Sequence, residues 1–143
     1  MAYTPDAIDM HILSELKVDS RKPIKEIAKS TKLRPSTVHS RIQRLIKNKV
    51  IEKFTVQLNN QAIGENFIVF MLVDTSKDLD ALFFRNSHIK EVFGVTGEYD
   101  LLIKLKFANV EQFNAFLLSL RKYPYIKETL TMVATINIKE ELH

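Results

Sequence analysis

Cysteine is absent from this 143-residue chain, which rules out a disulfide framework or a thiolate metal site and suits a reducing compartment. Tryptophan is absent as well, and the aromatic content is mostly phenylalanine, nine against four tyrosines. Glycine occurs three times, too scattered to cradle a phosphate. The four histidines, His11, His39, His88 and His143, lack metal-ligand spacing, and no nucleophile motif accompanies them. The expectation is a protein that is not an enzyme and holds no metal or resident cofactor. Long apolar runs are also missing. None approaches the roughly 20 residues that span a bilayer, and the start MAYTPDAIDM has neither the basic leader nor the apolar segment of a signal peptide. A soluble, cytoplasmic protein with no membrane partner is therefore expected. The length suits one medium domain or two small ones, and the hydrophobic share of 45% is enough for a core.

One further absence is local. From Thr31 to Ile51, TKLRPSTVHSRIQRLIKNKVI, there is no Asp or Glu. Val38, Ile42, Leu45 and Ile46 recur at i, i+4, i+7 and i+8, the stripe of a helix that faces a core. Ser36, Ser40, Gln43, Arg44 and Lys47 project from the other side with Thr37 flanking them. The predicted outer face thus carries hydroxyls, an amide and cations, groups that bond phosphates and base edges. An ordinary solvated helix face mixes both signs, whereas a long stretch of one sign directs a field at a polyanion. The wider charge distribution agrees. The net charge is +4, but up to Asn60 twelve Lys or Arg stand against six Asp or Glu, and beyond it nine stand against eleven. Such asymmetry marks a nucleic-acid-binding module joined to a part with another task. Membrane-surface binding would need bulky apolar residues exposed opposite the basic face, and here a three-helix core uses the apolar seam.

Along the chain, Thr4 and Pro5 predict a helix start, a capping hydroxyl followed by a first-turn proline. Helix 1 then runs to about Val18 with Ile8, Ile12, Leu13 and Leu16 on its apolar face. Asp9 falls inside that face: either it pairs with Arg41 on the flank of the third helix, or it reaches solvent at the helix edge. Ile24, Ile27 and Ala28 give a short second helix ending near Ser30, and a third begins a few residues later with Pro35 in its first turn. Two helices joined by so short a turn, the second basic and polar outside, make a helix-turn-helix whose second helix enters the major groove of double-stranded DNA. Residues 1–58 are assigned to this domain. Val50 to Leu58 alternates weakly, as an extended segment would, and 59–66, NNQAIGEN, is the expected linker.

The periodicity changes over 67–143. Phe67 to Val73 is an unbroken apolar run of strand length. Leu79, Leu82 and Phe83 fit a short helix, Ile89 to Thr96 a second strand and Asp100 to Phe107 a third. Asn109 with Gln112 predicts a capping box ahead of an amphipathic helix carrying Phe113, Phe116, Leu117 and Leu120. From Ile126 to Ile138 the alternation is that of a strand. The fold class is therefore α+β, an N-terminal three-helix helix-turn-helix domain joined to a C-terminal ferredoxin-like βαββαβ domain. Such a sheet carries helices on one face only, yet Phe67 to Val73 is apolar at every position, so the other face also needs cover. A second copy of the sheet is the simplest cover, with Val69 and Met71 as the expected interface residues. The N-terminal domain is the alternative cover.

DAIDMHIL, PSTVHSRIQRLIKNKVI and VTGEYDLLIKL in this order resemble the Lrp/AsnC family of feast/famine transcription regulators over nearly the whole chain. Asp6, Asp9, Arg41, Ile42, Leu45, Ile51, Gly97, Tyr99 and Asp100 stand where that family's pattern expects them. Two positions depart from it: Arg34 where Ser is usual, leaving Ser36 or water to cap the third helix, and Lys49 where Gly is usual, leaving Asn48 or Lys49 to close it. Arg34 joins Ser36, Thr37, Ser40, Gln43, Arg44 and Lys47 as an expected DNA contact. The resemblance implies a regulator that binds operator DNA as a homodimer or higher even oligomer, with the C-terminal domain mediating assembly and sensing a small amino acid.

Gly97-Glu98-Tyr99-Asp100 can be read in two ways. It is a hairpin turn, with glycine for backbone freedom and Asp suited to turns. Alternatively it receives a free amino acid, Asp100 taking the ammonium and the amides around Gly97 the carboxylate. The resemblance places an effector pocket here at a contact between dimers, with Thr131 as a wall. Two other functions stand beside this one. An effector-independent architectural DNA-binding protein would need no such pocket. RNA binding through the sheet would need exposed paired aromatics and a glycine on the third strand, which LLIKLKF lacks.

Overall fold

The chain divides into two compact units, residues 1–57 with 141–143 and residues 58–140, and a computed structural model describes residues 2–142. In the first unit α1 (Ala7–Val18), α2 (Ile24–Thr31) and α3 (Pro35–Lys47) follow one another. The start of α1 lies later than Thr4 and Pro5 suggest. Asp6 is the N-cap: its carboxylate accepts from the Asp9 amide at 2.8 Å, and the Asp9 carboxylate accepts from the Asp6 amide at 3.2 Å. A carboxylate serves better here than a threonine hydroxyl, because it also meets the positive end of the helix dipole. Ile12, Ile27, Ala28, Val38 and Ile42 form the core, with Leu16, Ile24, Leu33 and Ile51 packed against it. Leu45 is also fully buried, but Ile46 is 38% exposed. One residue past Leu45 the helix has turned about 100°, beyond the edge of the stripe set by Val38, Ile42 and Leu45.

No strand forms over Glu52 to Leu58, and the expected linker is itself folded. Ile63 donates to the Asn59 carbonyl, Glu65 to that of Asn60, and Ala62 to the Asn59 side chain. Residues 59–66 thus form a hydrogen-bonded turn within the second unit. The Asn60 side chain is held there because Lys106 donates to its Oδ1 at 2.8 Å and its Nδ2 donates to Glu140 at 3.1 Å.

The second unit orders β1 (Phe67–Thr75), α4 (Ala81–Phe84), β2 (Ile89–Gly94), β3 (Leu101–Phe107), α5 (Val110–Ser119, with a 3₁₀ turn over Leu120–Lys122) and β4 (Ile126–Val133). The sheet order is β2-β3-β1-β4 with every pair antiparallel, the ferredoxin-like arrangement expected. β4 stops at Val133, five residues short of the alternating run: Ala134 makes a last bond to the Ile68 carbonyl, and Ile136 and Ile138 are exposed. Asn109 caps α5 by accepting from the Gln112 amide, while the Gln112 side chain accepts from Ala108.

The register decides which side chains share a face. Met71 lies between Ile103 and Thr131, and Val69 between Leu105 and Val133. Met71, Val69, Val73, Ile103, Leu105 and Phe107 pack beneath Phe83, Phe113 and Phe116. Val69 and Met71 are each 0% exposed, so the expectation that they form a subunit interface is corrected: they are core residues under the helices. The helix-free face carries the opposite parity, Phe70 and Leu72 with Leu102, Phe93, Leu130 and Met132. Of these Phe93, Leu130 and Met132 are exposed. One end of this face is polar. Glu140 pairs there with Lys104 and Lys106, each at 2.7 Å, and Lys104 also meets Glu91.

Candidate nucleic-acid interface and effector loop

Along α3 the residues Ser36, Thr37, Ser40, Gln43 and Lys47 are all exposed, and Val38, Ile42 and Leu45 are buried. The outward stripe is therefore the one expected. Arg34 sits at the N-cap in extended backbone without a side-chain cap bond, and Ser36 supplies none either. At the other end Asn48 caps with its side chain on the Arg44 carbonyl at 2.8 Å, and Lys49 takes the left-handed conformation at φ +56°. Lys49 and Val50 then donate to the carbonyls of Ile46 and Leu45. That closure normally favours glycine, and here a lysine carries the strain.

The helix without acids borrows them from α1. Asp9 is fully buried, and Arg41 Nη1 lies 2.8 Å from its Oδ1 and 2.7 Å from Asp6 Oδ2. The inferred pair between Asp9 and Arg41 exists, and the solvent-edge alternative does not. Burial works to raise the Asp9 carboxyl, but hydrogen bonds from Tyr3, Arg41 and the Asp6 amide outweigh it and hold the pKa below its ordinary value. Asp6 is lowered chiefly by the hydrogen bond from Arg41. Arg44 departs from the simple outward picture. Its Nη2 lies 3.5 Å from Asp9 and its Cζ 5.2 Å from the Tyr3 ring centre, although nearly half the side chain stays exposed. Arg34 and Lys47 have no ion pair among the described residues. Tyr3 is the residue sequence reasoning missed, since it precedes α1 and no periodicity includes it.

In the second unit Gly97, Glu98, Tyr99 and Asp100 share the connection between β2 and β3. Gly97 sits at φ +113°, the conformational freedom for which glycine was expected. Asp100 is engaged by a neighbour the sequence did not point to: its Oδ2 accepts from the Thr75 amide at 2.8 Å and faces the Thr75 hydroxyl at 3.3 Å. The Thr75 amide is the main reason its carboxyl stays below the ordinary range. Asp100 also lines an open cavity of about 570 Å³ with Thr75, Ser76, Lys77, Asp78, Leu79, Phe84 and Leu101. Tyr99 is raised by burial first, then by the carboxylates of Glu128, Glu98 and Asp74. Thr131 is not brought beside this loop. It stands in the row of Met71 and Ile103, about 10 Å along the strands from the Asp100 end at 3.3 Å per residue.

No group of three His, Cys, Asp or Glu that could hold a metal occurs among the described residues. No helix among them is long and apolar enough to cross a membrane.

Comparison with known proteins agrees with both halves. The AsnC-type helix-turn-helix domain matches residues 6–46, and the Lrp/AsnC ligand binding domain matches residues 69–142. The HTH-type transcriptional regulator FL11 of Pyrococcus abyssi is 33% identical over 98% of this chain and 95% of its own. In fold, the chain resembles Escherichia coli AsnC with a TM-score of 0.88 at 20% identity, covering 99% of each chain. It also resembles a Neisseria meningitidis transcriptional regulator solved as an L-Met complex, with a TM-score of 0.85 at 21% identity over 96% of this chain and 94% of that one. With a helix-turn-helix whose outward face has no acids and a ferredoxin-like sheet behind it, the chain belongs to the Lrp/AsnC family of DNA-binding transcription regulators.

Proposed function

We propose that this protein binds duplex DNA sequence-selectively through α3 as a homodimer or higher even oligomer, and that a small amino acid bound near the Gly97–Asp100 loop changes its assembly or operator affinity. The observation that carries the DNA reading is the exposed stripe of Ser36, Thr37, Ser40, Gln43 and Lys47; among the described residues Lys47 has no ion pair, and the carboxylates of Asp6 and Asp9 go to Arg41 and Arg44 instead. Hydroxyls and an amide beside cations can both anchor to phosphate and read base edges in the major groove. Assembly is supported by the helix-free face, where Phe70, Leu72, Leu102, Phe93, Leu130 and Met132 make an apolar patch that a second sheet would cover. An amino-acid effector is supported by the carboxylates around Tyr99, which suit an ammonium group, and by the L-Met complex of the Neisseria regulator.

The test is a titration of duplex selected by the wild-type protein from a random pool. Ser40→Ala should cost about 1–3 kcal/mol on the selected site, while Lys47→Ala should weaken all sequences and lower the salt slope by about one. Unchanged binding by both variants would refute the interface. Repeating the titration across the standard amino acids tests the effector, and no change in affinity or sedimentation with any of them would remove it.

A further inference from the structure

Tyr3 lies outside every helix, yet its side chain is tied into the helix-turn-helix. Its hydroxyl donates to Asp9 Oδ2, the same carboxylate oxygen that faces Arg44 Nη2 at 3.5 Å. Its ring lies under the Arg44 guanidinium, whose Cζ is 5.2 Å from the ring centre. Arg44 therefore has a π face on one side and a buried carboxylate at one edge, while 47% of its side chain remains exposed on the outward side of α3. The neighbouring Arg41 is used differently, with its Nη1 committed to Asp6 and Asp9 and its side chain only 20% exposed. One arginine locks α1 to α3, and the other is held but left open.

Holding matters because a long side chain that orders only on binding loses rotamer freedom at that moment, and one ordered beforehand does not. An aromatic face also keeps the guanidinium plane in a fixed attitude, so that its in-plane N–H groups point toward a planar acceptor. We propose that Tyr3 is a positioning residue for DNA recognition: with Asp9 it holds the Arg44 guanidinium at the surface of α3, so that Arg44 meets its acceptor on the duplex already oriented. The inference rests on the DNA-binding reading of α3 and adds to it a residue from the segment before α1.

The experiment is a double-mutant cycle in the full-length protein, with affinity measured on the duplex selected by wild type and on an unselected duplex of equal length. Tyr3→Leu should weaken selected-duplex binding about fivefold, from the lost stacking and the lost ordering of Arg44. Tyr3→Phe, which keeps the ring, should stay within about twofold of wild type. In an Arg44→Ala background, Tyr3→Leu should change affinity by less than about twofold, because the side chain it orders is gone. An equal loss from Tyr3→Leu in both backgrounds would make Tyr3 a structural residue only and overturn the proposal, as would no loss beside Arg44. If wild type itself fails to distinguish the selected from the unselected duplex, the DNA reading falls and the proposal with it.

Discussion

Replacing Arg41 with Leu removes one partner from a carboxylate that is 0% exposed. Breaking a buried ion pair from one side costs about 3–5 kcal/mol when the remaining charge has nothing else. Asp9 keeps the Tyr3 hydroxyl, the Asp6 amide and a distant Arg44, so the expected loss is smaller, about 2–3 kcal/mol. That is a large part of the 5–15 kcal/mol typical of a domain. Hydrogen exchange in the full-length protein isolates the effect. Protection of the slowest amides in α1 and α3 should fall about 30- to 150-fold, while those of β1 and β3 keep theirs. The pH dependence supplies a signature that packing loss alone does not. In wild type the Asp9 carboxyl is depressed, so its contribution is present above the ordinary carboxylate range and lost as pH falls. Without Arg41 less opposes burial, so the carboxyl is held down less and the variant has less stability to lose as acid neutralises it. The protection gap between wild type and variant should therefore be constant near neutral pH and narrow as pH falls through and below the ordinary carboxylate range. Unchanged protection, or a gap that ignores pH, would refute the assignment of Arg41 as the counter-ion that makes burial of Asp9 tolerable.

Phe70→Glu or Leu130→Glu should convert the assembly to monomers in sedimentation with the fold retained by circular dichroism, since both side chains lie on the helix-free face. Lys49→Gly should raise thermal stability by up to about 1 kcal/mol, because the left-handed backbone at φ +56° penalises a side chain and glycine removes that penalty. Glu140 is pulled down from 4.5 to about 2, burial opposing and the Lys104, Lys106 and Asn60 hydrogen bonds prevailing. Its contribution, about 2–3 kcal/mol by linkage, is full above its unfolded value and lost as pH falls toward 2, so Glu140→Gln should be less stable than wild type at pH 7 and equal to it near pH 2. Asp100→Ala should abolish any amino-acid effect on sedimentation while leaving basal operator binding unchanged, as read by calorimetry and gel shift.

The outward face of α3 was legible because one helix carries the whole signal: burial of Val38, Ile42 and Leu45 forces Ser36, Ser40, Gln43 and Lys47 outward. The Asp9–Arg41 pair was legible as one of two outcomes, since a carboxylate within an apolar stripe needs either a cation or water. Arg44 was read as an outward contact and nothing more. Its hold depends on Tyr3, which has no period to betray it, and on an Asp9 carboxylate whose two oxygens serve two arginines. The loop was legible at Gly97, whose φ is positive, but not at Thr75. Thr75 reaches Asp100 only because β1 and β3 are neighbours in the sheet, a long-range pairing that local pattern does not contain.

The parity of β1 shows most clearly where local reading stops. A run apolar at every position says that both faces are covered, but it does not say which residues face which cover. β3 does contain that information, because Lys104 and Lys106 alternate with Ile103, Leu105 and Phe107, and lysines are not placed under a helical core. The alternation reaches β1 only through the register, in which Met71 faces Ile103 and Phe70 faces Lys104. A shift of one residue would have put Val69 and Met71 on the open face and Phe70 beneath α5. The distinction changes what a substitution tests. A carboxylate at Met71 enters the monomer's own core and reports folding, whereas one at Phe70 enters the patch shared with Leu72, Leu102 and Met132 and reports association. Only the second can separate a protein that fails to assemble from one that fails to fold.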